Sequence, residues 1–232
     1  ANNVDNLLKE NIDPNKIYTT GNTVIDAIKT TVCEDYDFLD ECLKTLDYNN
    51  KRVILVTAHR RENLGEPLRN ICNAILETVE AFPDVEVVYP VHLNPLVKNT
   101  AEEILGGHPR IHLINPLDVT ELHNLMNKCY MVMTDSGGLQ EEAPSLGKPV
   151  LVLRNETERP EAVEAGTVKI AGVDKETIKK MAATLLSEKA EYEKMSHAVN
   201  PYGDGEASRR IVDAILYSFG LLETKPDNFT AK

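Results

Sequence analysis

The 232-residue sequence predicts an α/β fold with a doubly wound, mostly parallel, Rossmann-like sheet. Two observations support this fold class. Six short apolar runs, most of them continuous rather than alternating, are typical of strands that are buried on both faces. Helical patterns separate most of these runs, and the alternation of strand and helix favours a parallel sheet. A hydrophobic fraction of 42% is sufficient for a substantial core.

The six apolar runs predict six strands in the middle of the chain. These strands are Val53–Val56, Val85–Tyr89, Ile111–Ile114, Tyr130–Met133, Val150–Leu153 and Val168–Ile170. The helical patterns between them are Pro67–Phe82, Pro95–Leu105, Val119–Lys128 and Leu139–Leu146. We therefore expect one main domain over about residues 50–200.

The two ends of the chain differ from this middle. Residues 2–32 predict a helix, a strand in "KIYTTGN" and a second helix, and the acidic residues 33–50 predict a short helix with loops. From Asp174 onward the pattern is helical, and Gly203-Asp204-Gly205 predicts a turn before the last helix. We expect these flanking segments to belong partly to another lobe.

Composition and charge exclude several classes of protein. A formal net charge of −12 disfavours a general nucleic-acid surface, because phosphate binding needs clustered Lys and Arg. An anionic ligand would need a local positive pocket. No stretch reaches the about 18 apolar residues of a membrane span, and the N-terminus does not resemble a secretion signal. Four scattered cysteines without a C-x-x-C pair indicate reduced thiols and a cytoplasmic location.

Polar residues with functional side chains follow several of the predicted strands. His59, Arg60 and Arg61 come after the first strand, and His92 comes after the second. Asp135-Ser136-Gly137-Gly138 follows the fourth strand, and a charged loop that includes Arg159 follows the fifth. Ligands of open α/β sheets bind outside the carboxyl ends of the strands, so we expect a ligand at this edge.

Two interpretations of Ser136-Gly137-Gly138 remain open. Glycines allow close approach to the backbone, and the next helix would direct its free N–H groups and positive dipole end at a phosphate or diphosphate. Alternatively, Ser136 or Asp135 is an ordinary N-cap.

Glu142 could accept hydrogen bonds from two vicinal hydroxyls or be a surface residue favoured by the helix dipole. Glu141 and Glu142 point about 100° apart on a helix, so at most one should face a ligand.

The flanking arginines favour a ligand-binding role for His59, and His92 is a weaker candidate of the same kind. Arg159 precedes Pro160 at a predicted helix start and could hold a phosphate or pair with Glu156 or Glu161. The remaining histidines are interpreted as structural; they are His108, His112, His123 and His197.

Five sequence motifs, taken together and in their order along the chain, resemble those of the bacterial non-hydrolysing UDP-N-acetylglucosamine 2-epimerases. They are "TAHRREN", "YPVHLNP", "DSGGLQEEAPSLGKPVLVLR", "ERPEAVEAGT" and "NPYGDGEASRRI". The resemblance implies one lobe of a GT-B-type two-lobed fold with the active site in the cleft. It implies a crossover or remnant of the first lobe at 1–50, a UDP-binding lobe at 51–200, and a C-terminal helix and tail at 201–232 that packs back across the lobes.

The resemblance also implies roles for individual residues. The backbone of Ser136, Gly137 and Gly138 would hold the diphosphate, and Glu142 the ribose hydroxyls. His59 would be the catalytic residue that contacts the substrate near the diphosphate. Arg159 would contact the substrate, Leu117 and Leu122 would frame the uracil, and Arg60 and His92 would serve a second, activating UDP-N-acetylglucosamine.

The implied reaction interconverts UDP-N-acetylglucosamine and UDP-N-acetylmannosamine by elimination and re-addition of UDP, for cell-surface polysaccharide precursors. The family places its acid and base carboxylates on the first lobe, so this chain alone is expected to be inactive. No metal and no nicotinamide or other cofactor is implied, and the full-length form is expected to be a homodimer. Two alternatives stay open from the residues: a GT-B glycosyltransferase that uses a UDP-sugar, and a non-catalytic nucleotide-sugar binding module.

Overall fold

The computed structural model describes residues 2–231, which divide between two compact units. The sheet unit comprises residues 31–200, and the terminal unit is formed by the described residues of 1–30 and 201–232. The strands are β1 (Arg52–Thr57), β2 (Val85–Pro90), β3 (Ile111–Ile114), β4 (Met131–Thr134), β5 (Val150–Val152) and β6 (Val168–Ile170). All are parallel, in the order β3-β2-β1-β4-β5-β6. This is the doubly wound Rossmann order, and the predicted fold class is confirmed.

The described residues also form the following helices. They are α1 (Asn2–Lys9), α2 (Thr23–Thr31), α3 (Glu41–Thr45), α4 (Glu66–Ala81), α5 (Pro95–Leu105), α6 (Val119–Lys128), α7 (Gly137–Ser145), α8 (Pro160–Ala165), α9 (Lys175–Ser187), α10 (Lys189–Ser196) and α11 (Ala207–Ser218). No described helix is both long and apolar enough to span a membrane.

Both faces of the sheet are buried, which explains why the strand sequences are continuously apolar. In β1, Ile54 and Val56 pack with α4 in the main core, while Val53 and Leu55 alternate to the opposite face and are equally buried. The strand order reverses between β1 and β4, because the chain runs from β1 outward to β3 and then returns to β4 on the other side. The crevice outside the carboxyl ends of β1 and β4 is therefore the expected ligand position.

Two predicted elements differ in the structure. The segment "KIYTTGN" forms no strand; among the described residues its long-range backbone bonds run from Phe229 N–H to the Thr19 carbonyl (2.7 Å) and from Asn22 N–H to the Tyr202 carbonyl (2.7 Å). These two bonds go to different segments and do not form a ladder, so the extended conformation lacks a strand partner. Helix α7 begins at Gly137 and not at Leu139. The prediction started too late because glycine has a low helix propensity.

The motif before the last helix is explained by contacts inside the terminal unit. The carboxylate of Asp26 on α2 accepts hydrogen bonds from the N–H groups of Ala207 (3.1 Å) and Ser208 (2.7 Å), and so caps α11. Arg210 donates two hydrogen bonds to Asp204 (2.7 and 2.6 Å) and lowers the pKa of that carboxyl to about 2. The "GDGEASRR" residues therefore stabilise the start of α11.

Candidate ligand-binding site

A cavity of about 270 Å³ lies in the sheet unit at the carboxyl ends of the central strands. Its lining residues are Thr57, His59, Pro90, His92, Pro116, Leu117, Leu122, Ser136, Leu139 and Glu142. The loops after β1, β2 and β3 contribute to this lining, together with α6 and the start of α7. The structure thus brings most of the sequence-predicted site residues onto one surface, although they are far apart in the chain.

The carboxylate of Asp135 joins the end of β4 to the loop after β1. Its Oδ2 accepts hydrogen bonds from the backbone N–H groups of His59 (2.7 Å) and Arg60 (2.7 Å) and from the side-chain amide of Asn63 (3.0 Å). Asp135 is fully buried. Beside it, the hydroxyls of Thr57 and Thr134 lie 2.6 Å apart. The position of His59 therefore depends on Asp135, which sequence reasoning considered only as a possible helix cap.

The N-terminus of α7 has no side-chain cap from either residue considered for that role. Ser136 occupies the N-cap position but makes no side-chain capping bond to the helix. The Asp135 carboxylate is directed to the β1 loop instead. Ser136 is thus the N-cap residue by position, as one of the two interpretations expected, but its side chain does not cap the helix. The first turn of α7 is built from two glycines and lies at the cavity.

Both glycines at the start of α7 lie close to carboxylates. A Cβ added to Gly137 would come within 2.5 Å of Glu158 Oε1, and one added to Gly138 would lie 3.3 Å from Glu142 Oε1. A larger residue at either position would displace the backbone or the carboxylate. The close approach that the glycines allow is thus, in this structure, an approach of the protein's own side chains.

The two neighbouring glutamates of α7 face different surroundings, in agreement with their spacing. Glu142 lines the cavity, whereas Glu141 is buried and pairs with Arg159. Arg159 does not line the cavity, and its partner Glu141 was not among the partners expected from the sequence. Only Glu142 of this pair is positioned to contact a ligand in the cavity.

Arg60 is engaged beside the start of α7. Its Nη2 lies 3.0 Å from Glu158 Oε1, and its Nε donates to the carbonyl of Asp135 (3.2 Å). Arg154 also pairs with Glu158. Burial acts to raise the pKa of Glu158, but hydrogen bonds from its own backbone and from Arg154 outweigh it and lower the pKa. Glu158 therefore pairs with both guanidinium groups, and Glu62 is a second carboxylate partner of Arg154 (2.9 Å).

The family model for UDP-N-acetylglucosamine 2-epimerase matches residues 1–216. The chain belongs to this epimerase family. A UDP-N-acetylglucosamine 2-epimerase of Bacillus subtilis is 56% identical over 230 residues, which are 98% of this chain and 59% of the relative. The chain thus spans about three fifths of the length of such relatives.

Two solved structures also match most of this chain. A Staphylococcus aureus MnaA–UDP co-structure matches with a TM-score of 0.92 and 48% identity, over 98% of this chain and 61% of that one. The UDP-N-acetylglucosamine 2-epimerase of Neisseria meningitidis, bound to UDP-GlcNAc, matches with a TM-score of 0.85 and 44% identity, over 92% and 59%.

In this epimerase-family chain the two strand-end histidines share the cavity. The ring centroids of His59 and His92 are 5.1 Å apart, with an interplanar angle of 30°. Nδ1 of His92 accepts a hydrogen bond from the backbone N–H of Asn94 (3.0 Å), which leaves Nε2 for other partners. Over residues 2–231, no cluster of three or more His, Cys, Asp and Glu side chains is arranged to hold a metal ion.

The role of Asp135 can be tested by removing its side chain. We expect Asp135→Ala to lower the free energy of unfolding of the epimerase-family chain by about 2–4 kcal/mol, because three donors lose a charged acceptor. Urea denaturation measures this loss. Asp174→Ala is the control, since Asp174 is an exposed N-cap that accepts from Thr177 N–H, and its loss should cost about 1 kcal/mol. Equal losses for the two variants would contradict the assignment.

Proposed function

We propose that this chain is the UDP-binding part of a UDP-N-acetylglucosamine 2-epimerase, which interconverts UDP-N-acetylglucosamine and UDP-N-acetylmannosamine for cell-surface polysaccharide precursors. The observation that supports this most is the start of α7, which has no side-chain cap and lies at a cavity that Glu142 also lines. Family membership and the UDP named with a similar structure support the same nucleotide.

The diphosphate would bind at Ser136, Gly137 and Gly138. The backbone N–H groups of a helix's first turn, together with its dipole, favour an anion at this point. Glu142 would then accept hydrogen bonds from the ribose hydroxyls. The uracil would pack against Leu117 and Leu122, which line the same cavity.

In the reaction, a proton leaves C2 of the sugar and the C1–O bond to the diphosphate breaks, which gives a glycal and UDP. UDP then adds back at C1, and C2 is protonated on the opposite face. Negative charge develops on the departing diphosphate. The N–H groups of α7 and the catalytic His59 would stabilise it, and Asp135 holds the His59 backbone in place before the reaction begins.

Three further residues complete the proposal. Arg159 would contact the substrate and would share its charge between the ligand and Glu141. Arg60 and His92 would serve a second, activating UDP-N-acetylglucosamine. For Arg60 this requires that the activator compete with Glu158 for its guanidinium group.

The division of the whole protein is also part of the proposal. Residues 1–50 would be a crossover from a first lobe, 51–200 the UDP-binding lobe, and 201–232 a C-terminal helix and tail that packs across the lobes. The acid and base carboxylates would lie in the part of the relatives' length that this chain does not span. We further propose a cytoplasmic homodimer that needs neither a metal nor a nicotinamide and does not bind nucleic acid.

Family membership favours the epimerase over a glycosyltransferase that uses a UDP-sugar. A non-catalytic nucleotide-sugar module would have the same UDP site, so chemistry and binding must be tested separately.

The UDP site is tested by two substitutions in α7. We expect the chain to bind UDP with a dissociation constant of about 1 mM, near −4 kcal/mol. Glu142→Ala should weaken binding about tenfold, because it removes a charged hydrogen-bond acceptor. Gly138→Ala should weaken it less, since its Cβ would displace the Glu142 carboxylate. NMR titration measures both, with Glu164→Ala on the exposed face of α8 as control. UDP affinity that neither variant changes would rule out this site.

Catalysis by the chain alone is tested by proton exchange. Epimerisation must break the C2–H bond, and closure of a cleft normally excludes water and completes the set of catalytic groups. We therefore expect no deuterium at C2 when UDP-N-acetylglucosamine is incubated in deuterated water with this chain. Mass spectrometry provides the readout. Deuterium at C2 would show that a catalytic base lies within these 232 residues.

A further inference from the structure

His123 is buried, with 1% of its surface exposed, and its ring lies between two other helices. Nδ1 is 2.7 Å from the hydroxyl of Thr31 at the end of α2. Nε2 is 3.5 Å from Oε2 of Glu142 on α7. The Thr31 hydroxyl is the hydrogen-bond partner of Nδ1, and Nε2 faces the carboxylate that lines the cavity.

The carboxylate of Glu142 lies between the His123 ring and the backbone of Gly138. Oε2 faces the His123 ring, and Oε1 lies so close to Gly138 that an added Cβ would be 3.3 Å from it. A separation of 3.5 Å is longer than an ordinary hydrogen bond and leaves the carboxylate most of its capacity as an acceptor, which is about four lone-pair sites. The ring can therefore orient Glu142 without occupying it.

The structural link between α6 and residues 31–33 is made by Asn124, the neighbour of His123. Asn124 is fully buried, donates from Nδ2 to the carbonyl of Thr31 (2.8 Å) and accepts from the N–H of Cys33 (2.9 Å). These two bonds attach α6 to residues 31–33 without any contribution from the imidazole. Besides its own contact with Thr31, the imidazole of His123 adds the contact with Glu142.

We propose that His123 is a positioning residue for ribose recognition: it donates from Nε2 to Glu142 and holds the carboxylate in the orientation that accepts the ribose hydroxyls. Thr31 sets the ring by its contact with Nδ1. This inference rests on the proposed role of Glu142 in UDP binding. The positioned carboxylate should discriminate UDP from 2′-deoxy-UDP, which lacks one of the two hydroxyls.

The test compares these two nucleotides by NMR titration of the full 232-residue chain. The unaltered chain should prefer UDP about tenfold, and Glu142→Ala should abolish the preference. His123→Leu should reduce the preference to about threefold or less and change the affinity for 2′-deoxy-UDP less than about twofold. His123→Gln should retain most of the preference, because its side-chain amide can donate to Glu142.

The outcomes separate the two hypotheses. If His123→Leu weakens both nucleotides equally, or leaves the preference intact, His123 does not position Glu142 and the inference is wrong. If the unaltered chain and Glu142→Ala show the same ratio of affinities for UDP and 2′-deoxy-UDP, Glu142 does not recognise the ribose, and the proposed UDP site itself is wrong. Should His123→Leu not fold, the ring-nitrogen resonances of His123 decide: they should shift on Glu142→Gln, and unchanged resonances would overturn the proposal.

Discussion

The buried carboxylate of Asp135 is the interaction on which the rest of the site depends. A fully buried carboxylate needs hydrogen-bond donors, and here two backbone N–H groups and the Asn63 amide all donate to Oδ2, while Oδ1 has no hydrogen-bond partner among the described residues. Asn63 also donates to the carbonyl of Leu153, so the end of β5 joins the same network. The loops after three neighbouring strands are therefore held in one arrangement before any ligand binds.

The same interaction explains the start of α7. Asp135 directs its carboxylate toward the β1 loop, and Ser136 makes no capping bond, so neither side chain blocks the glycines that begin the helix. A protein with a formal net charge of −12 can in this way offer an anion a site made of backbone dipoles. The nearby guanidinium groups of Arg60 and Arg154 are paired with the carboxylates of Glu158 and Glu62, so they add little free positive charge.

Much of the fold could be predicted from local sequence, because strands buried on both faces read as continuous apolar runs. The residues after each strand could likewise be placed at one edge of the sheet, and Glu142 could be separated from Glu141 by helical geometry. What could not be predicted depends on contacts between distant residues. The partners of Asp135 lie 72 to 76 positions away, and Thr31 lies 92 positions from His123. No local pattern in the sequence identifies such pairs.

Mapping where UDP binds on the chain is the most direct test of the proposed diphosphate site at the start of α7. Backbone amide resonances of Gly137, Gly138 and Leu139 should shift most in an NMR titration, because the diphosphate would accept hydrogen bonds from the start of α7. A second cavity, of about 460 Å³, lies at the end of β6 beside the start of α9 and offers a rival position. Shifts concentrated at residues 172–174, with the α7 amides unchanged, would contradict UDP binding at α7.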